Sequence, residues 1–193
     1  MSIITLAHLT DLVALCLGEF PDCRIAPAAG SLQSSLAEMI EPPLPSIARE
    51  ITLSAELSQF TEPKDFTLHA ATTITITNNK VATITLPDDF CRLHSVQFDS
   101  WPHPLSEDRR GDPLRESLAE SAPPWLAQRT LRPWLRLTLQ TGTHILTCAP
   151  ASAPPTTANY IPLPEYDPST RRLLNFDEAL LPLLTQRLCQ SQP

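Results

Sequence analysis

Glycine is scarce in this sequence: there are only 4 among 193 residues, and they are isolated from one another. A phosphate-binding loop needs clustered glycines, because only they let backbone N–H groups approach a phosphate closely. The sequence contains neither a Walker motif nor a G-x-G-x-x-G motif. This absence excludes the common nucleotide-binding enzymes.

Positive charge is also in short supply, with 14 lysines and arginines against 21 acidic residues and a net charge of -7. An acidic chain is not built to neutralise phosphates, so we expect no sequence-specific binding of nucleic acid.

Long apolar runs are missing as well. The N-terminal stretch 1–20 contains Asp11, lacks a basic segment, and falls short of the ~20 apolar residues of a membrane span. We therefore predict a mature, cytosolic N-terminus and no membrane association.

The sequence lacks any C-x-x-C pair, and its cysteines are odd in number. They are Cys16, Cys23, Cys91, Cys148 and Cys189. This usage suits reduced thiols in a cytoplasm better than a disulfide framework or a zinc site. The 5 histidines are scattered and form no H-x-x-x-H pattern. We expect neither a metal nor any other cofactor.

Proline, by contrast, is abundant, and its 21 residues predict stiff connections between short elements. Apolar residues recur at helical spacing in 5–18, 31–41 and 46–60, so the first sixty residues are predicted to be helical. A final helix is predicted over 171–190, interrupted by Pro182.

After Pro63 the apolar period changes to two, which indicates strands. One hairpin is predicted over 71–87, turning at a pair of asparagines, and another over 134–148, turning at Gly142. A strand is predicted over 94–99, preceded by a corner at "PDDF", and a short helix near 113–120.

Together these patterns predict an α+β protein. Helices from the N-terminus and the C-terminus form a helical part, and an antiparallel β-rich domain of hairpins is inserted between them. The predicted regions are a helical 1–62, a β-rich 63–165, and 166–193, whose helix packs with the N-terminal helices.

Reactive side chains are densest in "TLPDDFCRLHSVQFDSW", residues 85–101. The carboxylates of Asp88 and Asp89 diverge in an extended chain, so they do not form an acid–base pair, and Pro-Asp-Asp is typical of a turn. Cys91 and His94 would be close on a helix, but not in a corner leading into a strand. A buried or half-buried cysteine is favoured over a thiol enzyme. We predict no catalytic residue and no enzymatic activity.

The three tryptophans lie at strand edges or in loops of the predicted β region. They either cap a small β core or anchor a protein partner, since tryptophan and arginine are both enriched in interfaces. The candidate interface residues are Trp125, Trp134, Arg109 and Arg110.

Three stretches, "ITLPDDFCRLHSVQFDSW", "RPWLRLTLQTGTHILTC" and "ANYIPLPEYD", are followed by the terminal helix. This order resembles a group of structural proteins of tailed phages and prophages in gut Bacteroidales, of the head-to-tail connector (adaptor) type. The resemblance covers roughly residues 70–190. We call eight matching positions the signature residues: Leu86, Pro87, Asp89, Phe90, Leu93, Trp101, Tyr160 and Pro162. Arg92, Ile161 and Pro164 match as well.

The resemblance implies that the signature residues define a fold rather than a catalytic site. It implies a helical stem made from both chain ends, an inserted β-rich domain, and a ring of identical copies below the portal. Partners would be the portal or other tail proteins, first in the cytoplasm during assembly and then in the virion. The alternatives are an intracellular β-domain module that binds a protein and, less favoured, a hydrolase or thiol enzyme using Cys91 and His94.

Overall fold

In the computed structural model, residues 2–18, 32–78, 80–106 and 133–191 are described. The chain divides into two compact units. Met1–Glu62 and Leu163–Pro193 together form the first, which we call the terminal unit, and Pro63–Pro162 form the second, which we call the inserted unit. Helices and antiparallel sheets are both present, so the predicted α+β class is confirmed.

In its described residues, the terminal unit has four α-helices and a three-stranded antiparallel sheet. The helices are α1 (Leu6–Cys16), α2 (Leu32–Ile40), α3 (Leu44–Ser54) and α4 (Leu181–Gln190). The strands are β1 (Ser2–Thr5), β9 (Glu165–Asp167) and β10 (Arg172–Phe176), in the order β1-β10-β9. Helix α1 begins where the Thr5 side chain accepts a hydrogen bond from the His8 N–H at 3.3 Å. Its Leu9 and Val13 side chains are fully buried, and it packs against α2 and α4.

The prediction of one helix over 171–190 was wrong at its start. Residues 172–176 form β10, which pairs with β1 and β9, and α4 begins only at Leu181. Arg171 and Asn175 have φ values of 51° and 60°, which a right-handed helix does not allow. Pro182 lies in the first turn of this helix and does not interrupt it, because a proline there costs no hydrogen bond.

Two N-terminal helix predictions need smaller corrections. The helix predicted over 5–18 begins at Leu6, and the residues before it form β1. The helix predicted over 46–60 ends at Ser54 and is followed by a separate 3₁₀ turn, Leu57–Gln59.

The inserted unit, over its described ranges 63–78, 80–106 and 133–162, has two antiparallel sheets. The first has the order β2 (Lys64–Asp65), β8 (Thr157–Pro162), β5 (Phe90–Gln97). The second has the order β3 (Thr73–Ile76), β4 (Ala82–Thr85), β7 (Thr143–Ala149), β6 (Trp134–Gln140). Both sheets contribute to a single core, whose buried members include Ile84, Leu86, Phe90, Leu93, Val96, Leu146 and Tyr160.

The turn predicted at "PDDF" is present at Asp88 and Asp89, where the Phe90 N–H donates to the Pro87 carbonyl. Strand β5 begins directly after it at Phe90, so the prediction that the strand starts at residue 94 was wrong. The register with β8 shifts twice, between Phe90 and Arg92 and between Leu93 and Ser95. Each bulge adds one residue to the strand. Phe90, Leu93 and Val96 are therefore all buried, although a spacing of three does not fit simple alternation.

Both predicted hairpins are confirmed. In the first, β3 and β4 flank a turn in which Lys80 has a φ of 58°, while Asn79 lies outside the described residues. In the second, β6 and β7 are joined by Thr141 and Gly142, whose φ values are 47° and 85°. The helix predicted near 113–120 falls outside the described residues.

We expect Thr141→Asn to raise the free energy of unfolding by about 1 kcal/mol, because asparagine tolerates positive φ and a β-branched threonine does not. Chemical denaturation monitored by tryptophan fluorescence measures this change, since all three tryptophans belong to the inserted unit. Thr143→Asn, two positions along on β7, is the matched control and should give no gain. Equal effects of the two substitutions would contradict the strain at Thr141.

Candidate functional site

Asp89 lies immediately before β5 and connects side chains of β2 and β8. The Tyr160 hydroxyl donates to Asp89 Oδ1 at 2.8 Å, and Lys64 Nζ donates to Oδ2 at 2.9 Å. Lys64 and Tyr160 are themselves backbone partners across β2 and β8. The ion pair is half-exposed, with side-chain exposures of 34% for Lys64 and 27% for Asp89, so its own contribution to stability is small.

Phe90 places an aromatic cluster beside this ion pair. Its ring stacks on Tyr160 with a centroid distance of 6.1 Å and meets the His144 ring at 5.0 Å. Phe90 pairs with Pro162, and Leu93 pairs with Tyr160. The two stretches that contain the signature residues thus form the neighbouring strands β5 and β8, and the signature residues of these strands lie side by side.

The remaining signature residues fix the two ends of β5. Before the strand, the Phe90 N–H donates to the Pro87 carbonyl at 3.0 Å, and the Leu86 N–H donates to the His144 carbonyl at 2.9 Å. After it, the Trp101 indole N–H donates to the Pro150 carbonyl at 2.7 Å. Seven of the eight signature residues are buried, Asp89 being half-buried.

The contacts of Asp89 with Tyr160 and Lys64 indicate a structural role for this cluster. Burial raises the pKa of Tyr160 well above its ordinary value, and the hydrogen bond to Asp89 and the charge of that carboxylate raise it further. The phenol therefore stays protonated and donates to Asp89. The Asp89 carboxylate is already occupied by two donors, which is the arrangement of a fixed hydrogen-bond acceptor rather than of a general base.

Four residues were considered as catalytic groups in the sequence, namely Asp88, Asp89, Cys91 and His94, and they differ in burial and in their partners. Asp88 is exposed, whereas Asp89 forms the ion pair with Lys64. Cys91 and His94 are half-buried, and His94 Nδ1 lies 3.2 Å from the Ser95 hydroxyl. Cys148 is fully buried, and burial raises the pKa of its thiol far above the ordinary value, so this thiol is inert.

Among the residues that the structure describes, no cluster of three or more histidine, cysteine or acidic side chains could hold a metal ion. Within the same part of the chain, no helix is long and apolar enough to cross a membrane.

Of the four candidate interface residues, the structure describes Trp134 alone. Its side chain is buried and packs against Ala149 and Val81. Trp125, Arg109 and Arg110 lie outside the described residues.

The terminal unit has two surface features that the sequence patterns did not single out. Large apolar side chains are exposed on it: Ile3, Leu15, Leu17, Met39, Leu53 and Leu183. A groove of about 290 Å³ between α3 and α4 is lined by Ile51, Ala55 and Leu183 together with polar residues of α4. Helical spacing of apolar residues locates the buried face of each helix, so it gave no signal for this exposed surface.

Charge is also divided unequally between the units. The terminal unit carries 12 acidic and 5 basic residues, whereas the inserted unit carries 9 of each. The whole net charge of -7 therefore belongs to the terminal unit.

No protein-family model matches the chain, and no curated protein is significantly similar to it.

Proposed function

We propose that this protein is a head-tail connector (adaptor) subunit of a tailed phage or prophage, and that identical copies form a ring below the portal. The observation that carries the proposal is the division of the chain. Both chain ends fold into one helix-containing unit, and an all-antiparallel β unit is inserted between them as one continuous segment. This is the arrangement that the resemblance implies.

The surface of the terminal unit supports assembly. A closed ring needs contacts that repeat head to tail between identical subunits, so two different patches of one subunit must fit each other. The exposed Leu53 and Leu183 side chains lie on α3 and α4, and Leu183 also lines the groove between these helices. In the proposed ring, these exposed side chains would contact a neighbouring subunit.

The charge distribution supports a place beside a DNA channel. A connector must let DNA slide through without holding it, and like charge weakens the attraction between protein and phosphates. In the proposed ring, the acidic terminal unit provides this repulsion. The neutral inserted unit does not.

The test is oligomeric state. We expect light scattering and negative-stain images to show rings whose population grows with protein concentration. We expect Leu53→Glu combined with Leu183→Glu to weaken the subunit contact at least about tenfold, because two charges replace apolar contacts. Leu139→Glu is the matched control, since Leu139 is 64% exposed but lies on the inserted unit, and it should leave the rings intact. Far-UV circular dichroism checks that all variants fold.

A chain that stays monomeric at every concentration, both alone and with its portal, would refute the connector proposal. If such a monomer instead binds a peptide through its inserted unit, the protein-binding module becomes the better description.

A further inference from the structure

Two thiols from the first and last helices of the terminal unit lie next to each other. Cys16 is in the last turn of α1, and Cys189 is in the last turn of α4. The Cys189 thiol lies 3.8 Å from the carbonyl oxygen of Val13, one turn before Cys16 on the same helix. The Cys16 thiol also interacts with the Cys189 thiol and contributes to raising its pKa. Two cysteines that are distant in the sequence are thus neighbours in the fold.

We propose that Cys16 and Cys189 form a modification site, at which a small-molecule disulfide such as oxidised glutathione converts the two thiols into one reversible disulfide bond. Both cysteines are free in the structure. Neither belongs to the signature residues or to the ion pair of Asp89. The site is therefore independent of the proposed connector function.

The environments of the two thiols set the order of the steps. Cys16 is exposed, so its sulfur is the one that a soluble oxidant reaches. Cys189 is half-buried, and burial followed by the contact with Cys16 raises its pKa to about 11. A thiol that holds its proton so firmly attacks a free oxidant slowly, but it can react with a sulfur already beside it.

The reaction balances as two exchanges. The Cys16 thiolate attacks one sulfur of oxidised glutathione, the S–S bond of the oxidant breaks, and one glutathione leaves. The Cys189 sulfur then loses its proton and attacks the Cys16 sulfur of the mixed disulfide, which releases the second glutathione. Two protein thiols are oxidised, one glutathione disulfide is reduced to two thiols, and the two protons pass to the glutathiones.

The consequence is a covalent link between the N-terminal and C-terminal segments of the terminal unit. A disulfide that closes a long loop removes much of the freedom of the unfolded chain. We expect oxidation to raise the Tm of the helical signal by about 5–15 °C. The transition of the tryptophan fluorescence, which reports the inserted unit, should move much less.

The experiment uses the full chain incubated with oxidised glutathione, followed by alkylation of the remaining thiols, proteolysis and mass spectrometry. We expect the peptides of Cys16 and Cys189 to be joined, with the loss of two hydrogen atoms, and to separate again on reduction. Cys16→Ser and Cys189→Ser should each abolish both the link and the rise in Tm. Cys23→Ser is the matched control, because it removes the cysteine that follows Cys16 in the sequence and keeps both members of the pair, and it should leave the link and the rise in Tm intact.

Three results would overturn the proposal. The first is a link from Cys16 to Cys23 in place of Cys189. The second is glutathione that stays on Cys16 while Cys189 remains reduced. The third is that both Cys16 and Cys189 remain reduced after the incubation and are alkylated in full.

Discussion

We expect Phe90→Ala to lower the free energy of unfolding of the inserted unit by about 3–5 kcal/mol. Phe90 is 4% exposed and lies in the core to which both sheets contribute. Its removal takes away the contacts with Tyr160 and His144 and leaves a cavity beside Pro162, the partner of Phe90 on β8. Denaturation followed by tryptophan fluorescence measures the loss.

Tyr160→Phe is the control for this effect. It keeps the aromatic ring that stacks on Phe90 and removes the hydroxyl that donates to Asp89, whose other donor, Lys64, remains. We expect a loss of about 1 kcal/mol, the value of one ordinary hydrogen bond. A loss from Tyr160→Phe as large as that from Phe90→Ala would show that the Asp89 cluster, and not the aromatic core, stabilises the unit.

The second large effect is expected at Asp177, in the terminal unit. Its carboxylate is buried and accepts four hydrogen bonds: from the Thr61 N–H at 2.7 Å, the Thr61 hydroxyl at 2.9 Å, the Glu62 N–H at 3.0 Å and the Ala179 N–H at 3.0 Å. Asp177→Ala leaves these donors without a partner, so we expect it to cost about 2–4 kcal/mol. Far-UV circular dichroism follows the helices of this unit. Thr61→Val removes only the hydroxyl donor and should cost about 1 kcal/mol.

The effect at Asp177 depends on pH in a defined direction. Burial raises the pKa of this carboxyl, but the hydrogen bonds from Glu62, Ala179 and Thr61 outweigh burial and hold the pKa below its ordinary value of 3.8. A group whose pKa is lower in the folded state stabilises the fold above the unfolded pKa and loses that contribution as the pH falls through the folded pKa. The difference between the parent protein and Asp177→Ala should therefore be full at neutral pH and shrink below about pH 4. A difference that is constant with pH would contradict this account.

The parts of the fold that local sequence patterns encode were predictable. The second hairpin has alternating residues and Gly142 at its turn, and both features act within a few residues. Strand β10 was missed because 171–190 also has helical spacing, and its partner β1 is about 170 residues away, so the pairing leaves no local signal. The start of β5 was missed because two bulges hide the alternation of Phe90, Leu93 and Val96.

The candidate site also combines features that local sequence patterns encode with contacts between distant segments. The turn at Asp89 and the packing role of Phe90 could be inferred from the stretch that contains them. Lys64 and His144 could not, because each reaches the cluster from a strand that is distant in the sequence. The contact between Cys16 and Cys189 was hidden for the same reason, since it depends on the packing of α1 against α4.

The pairing of β1 with β10 also sets an order for folding on the ribosome. Every strand of the inserted unit has its partners within Pro63–Pro162, so this unit can fold as soon as that segment has emerged. Strand β1 has to wait for β10, and at roughly 5–20 residues per second the interval is on the order of 10–35 s. The side of α1 that packs against α4 is synthesised early and is buried only once α4 has been made. A terminal unit, and any ring built from it, can thus form only from chains that have been synthesised through α4, which keeps incomplete subunits out of the assembly.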